Sequence, residues 1–142
     1  MHNNCIFCKI LTNDMPASIV YRDEICTAFM DIQPVNQGHI LIVPNKHCEL
    51  IADLDDATAS HLFVVGKKIN IALRKTNIKC EGINYFLADG EAAFQEINHT
   101  HLHCFPRFKG DGFGLKFNNN YRNKPPKNEL DKIALEIKKY IY

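Results

Sequence analysis

Three histidines, His99, His101 and His103, stand at every second position of "FQEINHTHLHCFPRF", in a chain with 7 histidines among 142 residues. Side chains of a strand alternate between faces, so these three share one face at steps of about 6.5–7 Å. Thr100, Leu102 and Cys104 take the other face and can pack on a core. Solvated strand faces are usually filled by lysine, threonine, serine or glutamate. Three imidazoles in register point instead to chemistry, because imidazole titrates near neutral pH and is both a nucleophile and a metal ligand. From these residues alone two readings stand open: a metal held by three histidines, or nucleophilic and acid–base catalysis. Cys5 and Cys8 in "CIFCKI" are a second chemically capable set. Their spacing suits a redox pair, half of a zinc site, or two ordinary buried thiols. A thioredoxin-like pair should follow a strand and open a helix, and no strand pattern precedes Cys5. A zinc site needs two further ligands. Cys26, Cys48, Cys80 and Cys104 sit singly in apolar surroundings and read as small hydrophobes.

The elements that must position these groups can be read from periodicity. "SIVYRDEICTAFMDIQP" reads as two short strands around a polar turn at residues 22–24, built on Ile19, Val20, Ile25 and Phe29. "GHILIVPNKH" is an apolar run closed by Pro44, the pattern of a strand buried on both faces. From about Asp56 to Thr76 the period becomes helical, with Leu62, Val65, Ile69, Ala72 and Leu73 on one stripe and Asp55 or Asp56 as N-cap. "INYFLADG" reads as a strand ending at the turn of Asp89 and Gly90, and "HTHLHCF" as another, stopped by Pro106. "KGDGFGLKFNNNYRNKPPK" has loop composition; its "GDGFG" follows a strand and opens no helix, so turn chemistry explains it better than a phosphate loop. "NELDKIALEIKKYI" places Leu130, Ile133, Ala134, Ile137 and Ile141 at helical spacing, with Asn128 as N-cap. The expected class is α+β: a largely antiparallel sheet with one long central helix and a C-terminal helix.

A length of 142 residues, 46% apolar and 23% charged, suits one soluble domain with its own core. With 17 basic and 16 acidic side chains the net charge is +1, so no nucleic acid or acidic membrane is expected as a partner. "MHNNCIFCKILTND" has no basic stretch leading into a long apolar run, and no segment approaches the roughly 20 apolar residues of a membrane span. The expected location is the cytoplasm.

"HTHLHCF" resembles the alternating signature of the histidine triad family, with Thr100 only marginally apolar. "AFMDIQPVNQGHILIVPNKH" resembles its other signature region, with Asp31, His39 and the segment from Pro44 to His47 in matching order, and "CIFCKI" resembles the opening of its bacterial members. The resemblance covers roughly residues 5 to 108. It implies a single domain over 1–142, with a core at about 5–108, a loop at 109–127 and a helix at 128–142. It also implies a sheet of about five antiparallel strands crossed by the long helix, and a homodimer. The C-terminal helix then either covers the core or lengthens the dimer contact. The implied chemistry is hydrolysis or transfer at the α-phosphate of a nucleoside 5′-phosphate derivative, a dinucleoside polyphosphate or a phosphoramidate. His101 would attack phosphorus and form a covalent nucleotidyl-histidine, and His103 and His39 would contact phosphate oxygens. Such a step is sound chemistry, since imidazole is both a good nucleophile and a good leaving group at phosphorus. Asp31 matches the position that holds the ribose hydroxyls, and Phe7, Ile10, Phe29 and Ile32 match the apolar walls of the base pocket. Gln95 matches a nucleotide-contacting position. In members with the cysteine pair, Cys5, Cys8, His47 and His99 match a closed set for one structural zinc per chain.

Three positions depart from the family pattern. Ala88 stands where asparagine or glutamine is frequent, Phe94 replaces a glycine, and Glu96 replaces a serine or threonine near the leaving group. A carboxylate there repels a polyphosphate and suits a cationic amine, so an altered leaving-group preference is expected. His2 and His61 match nothing and are expected at the surface. Two other functions stay open: a zinc-stabilised nucleotide-binding or interaction protein with little turnover, and a tri-histidine metalloenzyme.

Overall fold

The computed structural model describes residues 4–141. β1 (Ile19–Arg22), β2 (Cys26–Met30), β3 (Ile40–Pro44), β4 (Gly82–Phe86) and β5 (Leu102–Arg107) form one sheet in the order β1-β2-β3-β5-β4. Every pairing is antiparallel. The helices are α1 (Ile6–Leu11), α2 (Asp56–Leu73) and α3 (Lys127–Lys138). The chain divides after Gly112 into two compact units.

Strand alternation sorts the first unit into two layers of packing. Cys26, Ala28, Ile40, Ile42, Leu102 and Cys104 point to one face and meet Leu62, Val65, Ile69 and Leu73 of α2. Phe29, Leu41 and Val43 point to the other and meet Phe7 and Ile10 of α1. β3 lies at the centre of the sheet between these layers, which is why its five residues are all buried and read as an unbroken apolar run. Asp55 caps α2, its carboxylate accepting the Thr58 N–H. Gly66 lets α2 approach closely: a Cβ there would stand 3.0 Å from the Tyr85 ring.

Several boundaries differ from expectation: β4 ends at Phe86, short of the Asp89–Gly90 turn, and α2 ends at Leu73 rather than near Thr76. β5 begins at Leu102, opposite Ile42, so His99 and His101 precede the ladder. Thr100 instead gives its N–H to Cys48 O and its hydroxyl to Glu49 O. Pro106 does not stop the strand; it pairs with Ile83, and β5 runs on to Arg107. The Pro106 carbonyl accepts from Asn36 Nδ2, so its backbone edge faces away from β4 and the missing N–H costs no ladder bond. α3 starts at Lys127 after Pro126 as N-cap, ahead of Asn128. In the second unit each described residue is exposed, and α3 carries Leu130, Ile133 and Ile137 on its surface. No helix among the described residues is long and apolar enough to cross a membrane.

Candidate active site and metal centre

The histidines of the 99–103 segment lie on the α1 side of the sheet, opposite α2, where the Phe7 ring stands edge-on to His99 at 5.8 Å and to His101 at 5.2 Å. They do not converge on one point. His99 belongs with Cys5, Cys8 and His47, whose ligand atoms all lie within 4.8 Å of one another. Its Nδ1 is 3.5 Å from Cys5 Sγ and 3.8 Å from Cys8 Sγ, and His47 Nδ1 is 3.4 Å from Cys8 Sγ. Tetrahedral zinc with sulfur at 2.3 Å and nitrogen at about 2.05 Å requires S···N edges of about 3.6 Å. The four donors therefore already form a shape that fits the ion. The far nitrogen of His99, Nε2, donates to the carbonyl of Pro44 at 2.9 Å, which leaves the Nδ1 lone pair facing the cysteines.

Partners that can only donate or only accept fix the remaining tautomers. His101 Nδ1 lies 2.7 Å from the carbonyl of His99, so Nδ1 carries the proton and Nε2 a lone pair. The Val35 N–H donates to His39 Nδ1 at 3.1 Å, so His39 is protonated on Nε2. That N–H in turn donates to His103 Nδ1 at 2.9 Å, which leaves the His103 proton on Nε2. Asp31 Oδ2 stands 3.5 Å from His39 Nε2 and 3.9 Å from His103 Nδ1.

Burial sets the charge state of these rings. It lowers the pKa of His101, with the His99 carbonyl, Asp31 and Glu96 opposing in part. It lowers that of His39 against the opposing pull of Asp31. His103 falls to about 4, through burial and then through the neighbouring imidazoles. At neutral pH all three are uncharged, the state in which imidazole attacks an electrophile. The site thus combines a neutral nucleophile with a directed chain of hydrogen bonds ending at a second ring.

Comparison with known proteins places this constellation. The model of the HIT domain matches residues 12–110. The chain belongs to the HIT family. A crystal structure of a HIT family member from Bacillus subtilis superposes with a TM-score of 0.87 at 38% identity, covering 99% of both chains. A zinc-bound histidine triad protein from Mycobacterium smegmatis superposes at 0.75 with 35% identity, covering 82% of this chain and 84% of its own. The adenosine 5′-monophosphoramidase HNT1 of Candida albicans is 32% identical over 117 residues, 80% of this chain and 76% of that protein.

The other residues expected from HIT-family resemblance fall into place unevenly. Phe7, Ile10 and Phe29 form one apolar cluster, whereas Ile32 is 90% exposed after β2. Asp31 is drawn into the histidine cluster, its other oxygen accepting the Gln33 N–H. Gln95 is buried and commits its amide to Gly90 N, Glu49 O and Ile97 O, tying down the loop ahead of the histidines. Of the three departures, Ala88 is buried, Phe94 is 81% exposed with φ 69°, and Glu96 is exposed. His61 is not a plain surface residue: it is half-buried and its Nε2 pairs with Asp23 Oδ2 at 2.6 Å. Two backbone N–H groups and the Tyr21 hydroxyl also reach Asp23, holding its carboxyl far below the usual range. His2 lies outside the described residues. Sequence reasoning missed the Val35 N–H that orients His39, and Asp111, whose carboxylate accepts from Asn36 next to Val35 and from Arg107. Backbone donors carry no sequence signal, and Asp111 sits in a stretch that reads only as a turn.

Proposed function

We propose that this HIT-family chain cleaves a P–N or P–O bond at the α-phosphate of a nucleoside 5′-phosphate derivative, in two steps through His101. The lone pair of His101 Nε2 forms a bond to phosphorus as the bond to the leaving group breaks, and the leaving group departs with that electron pair and takes up a proton. Water then forms an O–P bond as the N–P bond breaks and gives one proton to solvent, balancing the proton that the leaving group took from solvent; the nucleoside monophosphate is released and the free imidazole restored. His103 Nε2–H donates to a phosphate oxygen, where charge develops. His39 acts through His103, because its own N–H is committed there. Asp31 and the apolar cluster of Phe7, Ile10 and Phe29 are the groups we assign to ribose and base, with Ile32 as an exposed flank and Gln95 as the anchor of the adjoining loop.

The observation that carries this reading is the 2.7 Å bond from His101 Nδ1 to the His99 carbonyl, which leaves Nε2 unprotonated on a ring kept neutral by burial. The phosphoramidase name of the Candida albicans relative supports it. The test is release of AMP from adenosine 5′-phosphoramidate. His101→Ala should abolish release, and release that survives the substitution refutes the mechanism.

Three companion assignments belong to the same reading. Cys5, Cys8, His47 and His99 hold one structural zinc, supported by their fit to a tetrahedron and by the zinc-bound relative. With all four positions filled by protein, the ion supplies no open site for chemistry and fastens α1 to the start of the catalytic segment. The chain works as a homodimer in the cytoplasm, and β4, at the sheet edge with Tyr85 and Phe86 exposed beside Phe63, offers the surface for pairing. Glu96 biases the leaving group toward a cationic amine, consistent with its exposure and its pull on His101.

A further inference from the structure

We propose that Asp111 and Asn36 are positioning residues that fix the direction of the hydrogen-bond chain ending at His103, by holding the Val35 N–H against His39. The inference rests on the catalytic reading above for its effect on rate, though not for its geometry. Asp111 lies in "GDGFG", between Gly110 at φ +80° and Gly112 at φ +78°. That left-handed backbone favours glycine on both sides and turns the carboxylate back into the fold, where its side chain is 3% exposed. Asp111 receives Arg107 through Nε at 2.5 Å and Nη2 at 2.9 Å, and the Phe108 N–H at 3.4 Å. Arg107 is itself braced on β4 by Asn84 Oδ1 at 2.6 Å. The buried carboxylate is thus neutralised and rigidly held, and a further donor reaches it from the turn that carries Val35.

That donor is Asn36. Its Nδ2 reaches Asp111 Oδ2 at 2.8 Å and the Pro106 carbonyl at 2.9 Å, which pins the Val35–Asn36 turn to the exit of β5. The Asn36 carbonyl accepts the His39 N–H at 3.1 Å, and the Val35 N–H meets His39 Nδ1 at the same distance. The turn is therefore the element that dictates the His39 tautomer. If it relaxes, His39 can carry its proton on Nδ1 and present a lone pair to His103 Nδ1. Two lone pairs cannot face each other at 2.9 Å, so His103 must move its proton to Nδ1. His103 Nε2 then offers a lone pair where a phosphate oxygen requires a donor. A loop clamp one layer behind the histidines thus decides whether His103 attracts or repels the transition state.

The experiment compares Asp111→Asn and Asn36→Ala with wild type, reading kcat and KM for adenosine 5′-phosphoramidate and the ring ¹⁵N shifts of His39. Both variants are expected to lose about 10- to 100-fold in kcat, the scale of a misdirected catalytic group. KM should change little, and His39 Nδ1 should leave the unprotonated position it holds in wild type. Asp55→Ala, which removes the cap of α2 away from this turn, serves as a control for general destabilisation and should keep both kcat and the His39 shifts. If Asp111→Asn fails to fold, Asn36→Ala decides. His39 shifts unchanged in the folded variants, or a kcat loss no larger than in Asp55→Ala, overturns the proposal. Should wild type release no AMP, the catalytic reading falls, and the nitrogen shifts still decide whether the clamp sets the tautomer.

Discussion

Replacing His103 by asparagine should flatten the acid side of the stability curve. The asparagine Oδ1 can replace His103 Nδ1 as acceptor for His39 Nε2–H, so the hydrogen bond survives while the titrating ring is removed. In the folded protein His103 titrates at about 4, below its ordinary 6.5. A depressed histidine pKa means that the unfolded chain takes up the proton first. The stabilising difference is therefore present above pH 6.5, is lost as pH falls from there toward 4, and changes no further below. Between pH 7 and pH 5 the unfolded form gains about 2 kcal/mol from this ring and the folded form almost nothing. The side chain is 19% exposed, so solvent screening reduces the expected difference to about 1–2 kcal/mol. Urea unfolding at pH 7, 6 and 5 in excess zinc measures it, because the Cys5, Cys8, His47 and His99 cluster is the same in both proteins and its contribution cancels. Wild type should lose more stability than His103→Asn by that amount. Curves that stay parallel within about 0.3 kcal/mol would show that burial does not hold the ring neutral.

Two further outcomes follow from the site. Protein purified in zinc should contain one equivalent per chain, and Cys8→Ser should lose it; metal analysis and melting read this, with removal by chelator costing about 3–4 kcal/mol if zinc stands at 100 to 1,000 times its dissociation constant. Zinc content unchanged in Cys8→Ser removes the assignment. Glu96→Ser should lower the ratio of rates on a lysyl adenylate and on diadenosine tetraphosphate by about fivefold, the effect of roughly 1 kcal/mol from one partly screened charge. An unchanged ratio means that Glu96 does not select the leaving group.

Much of this was legible in the residues, for a physical reason. The alternation of β2 and β5, the apolar run of β3, the Asp55 cap and the stripe of α2, apart from the exposed Ala72, are local patterns set by which side chains must avoid water, and the structure repeats them. The limits of β5 were less legible. Pro106 signals a stop only if its N–H is needed, and the strand edge that needs none is set by Asn36, 70 positions away. The same holds for His61, which looks idle in sequence and meets Asp23 only when α2 crosses the sheet. The cluster of Asp111, Arg107 and Asn36 was invisible because each member, taken singly, is an ordinary turn or surface residue. Local pattern reports burial; it does not report which distant polar groups satisfy each other.

On the proposed reading, the segment leading into β5 carries three tasks at once. Each ring on it has one nitrogen tied by a partner that fixes its proton: Pro44 O for His99, His99 O for His101, and His39 Nε2–H for His103. The other nitrogen is thereby specified as a lone pair on His99 and His101 and as a donor on His103. The first two ties come from main-chain carbonyls and hold whatever side chains surround them. The third comes from a side chain, whose own proton position depends on the Val35 N–H and so on the Asn36 turn. Metal binding and nucleophilicity should therefore tolerate changes in the surrounding loops better than proton donation does. A library of substitutions over residues 33–37 and 108–112 should lower kcat more often than it lowers zinc content. The reverse ranking would mean that the three histidines are set by one shared scaffold rather than by three separate ties.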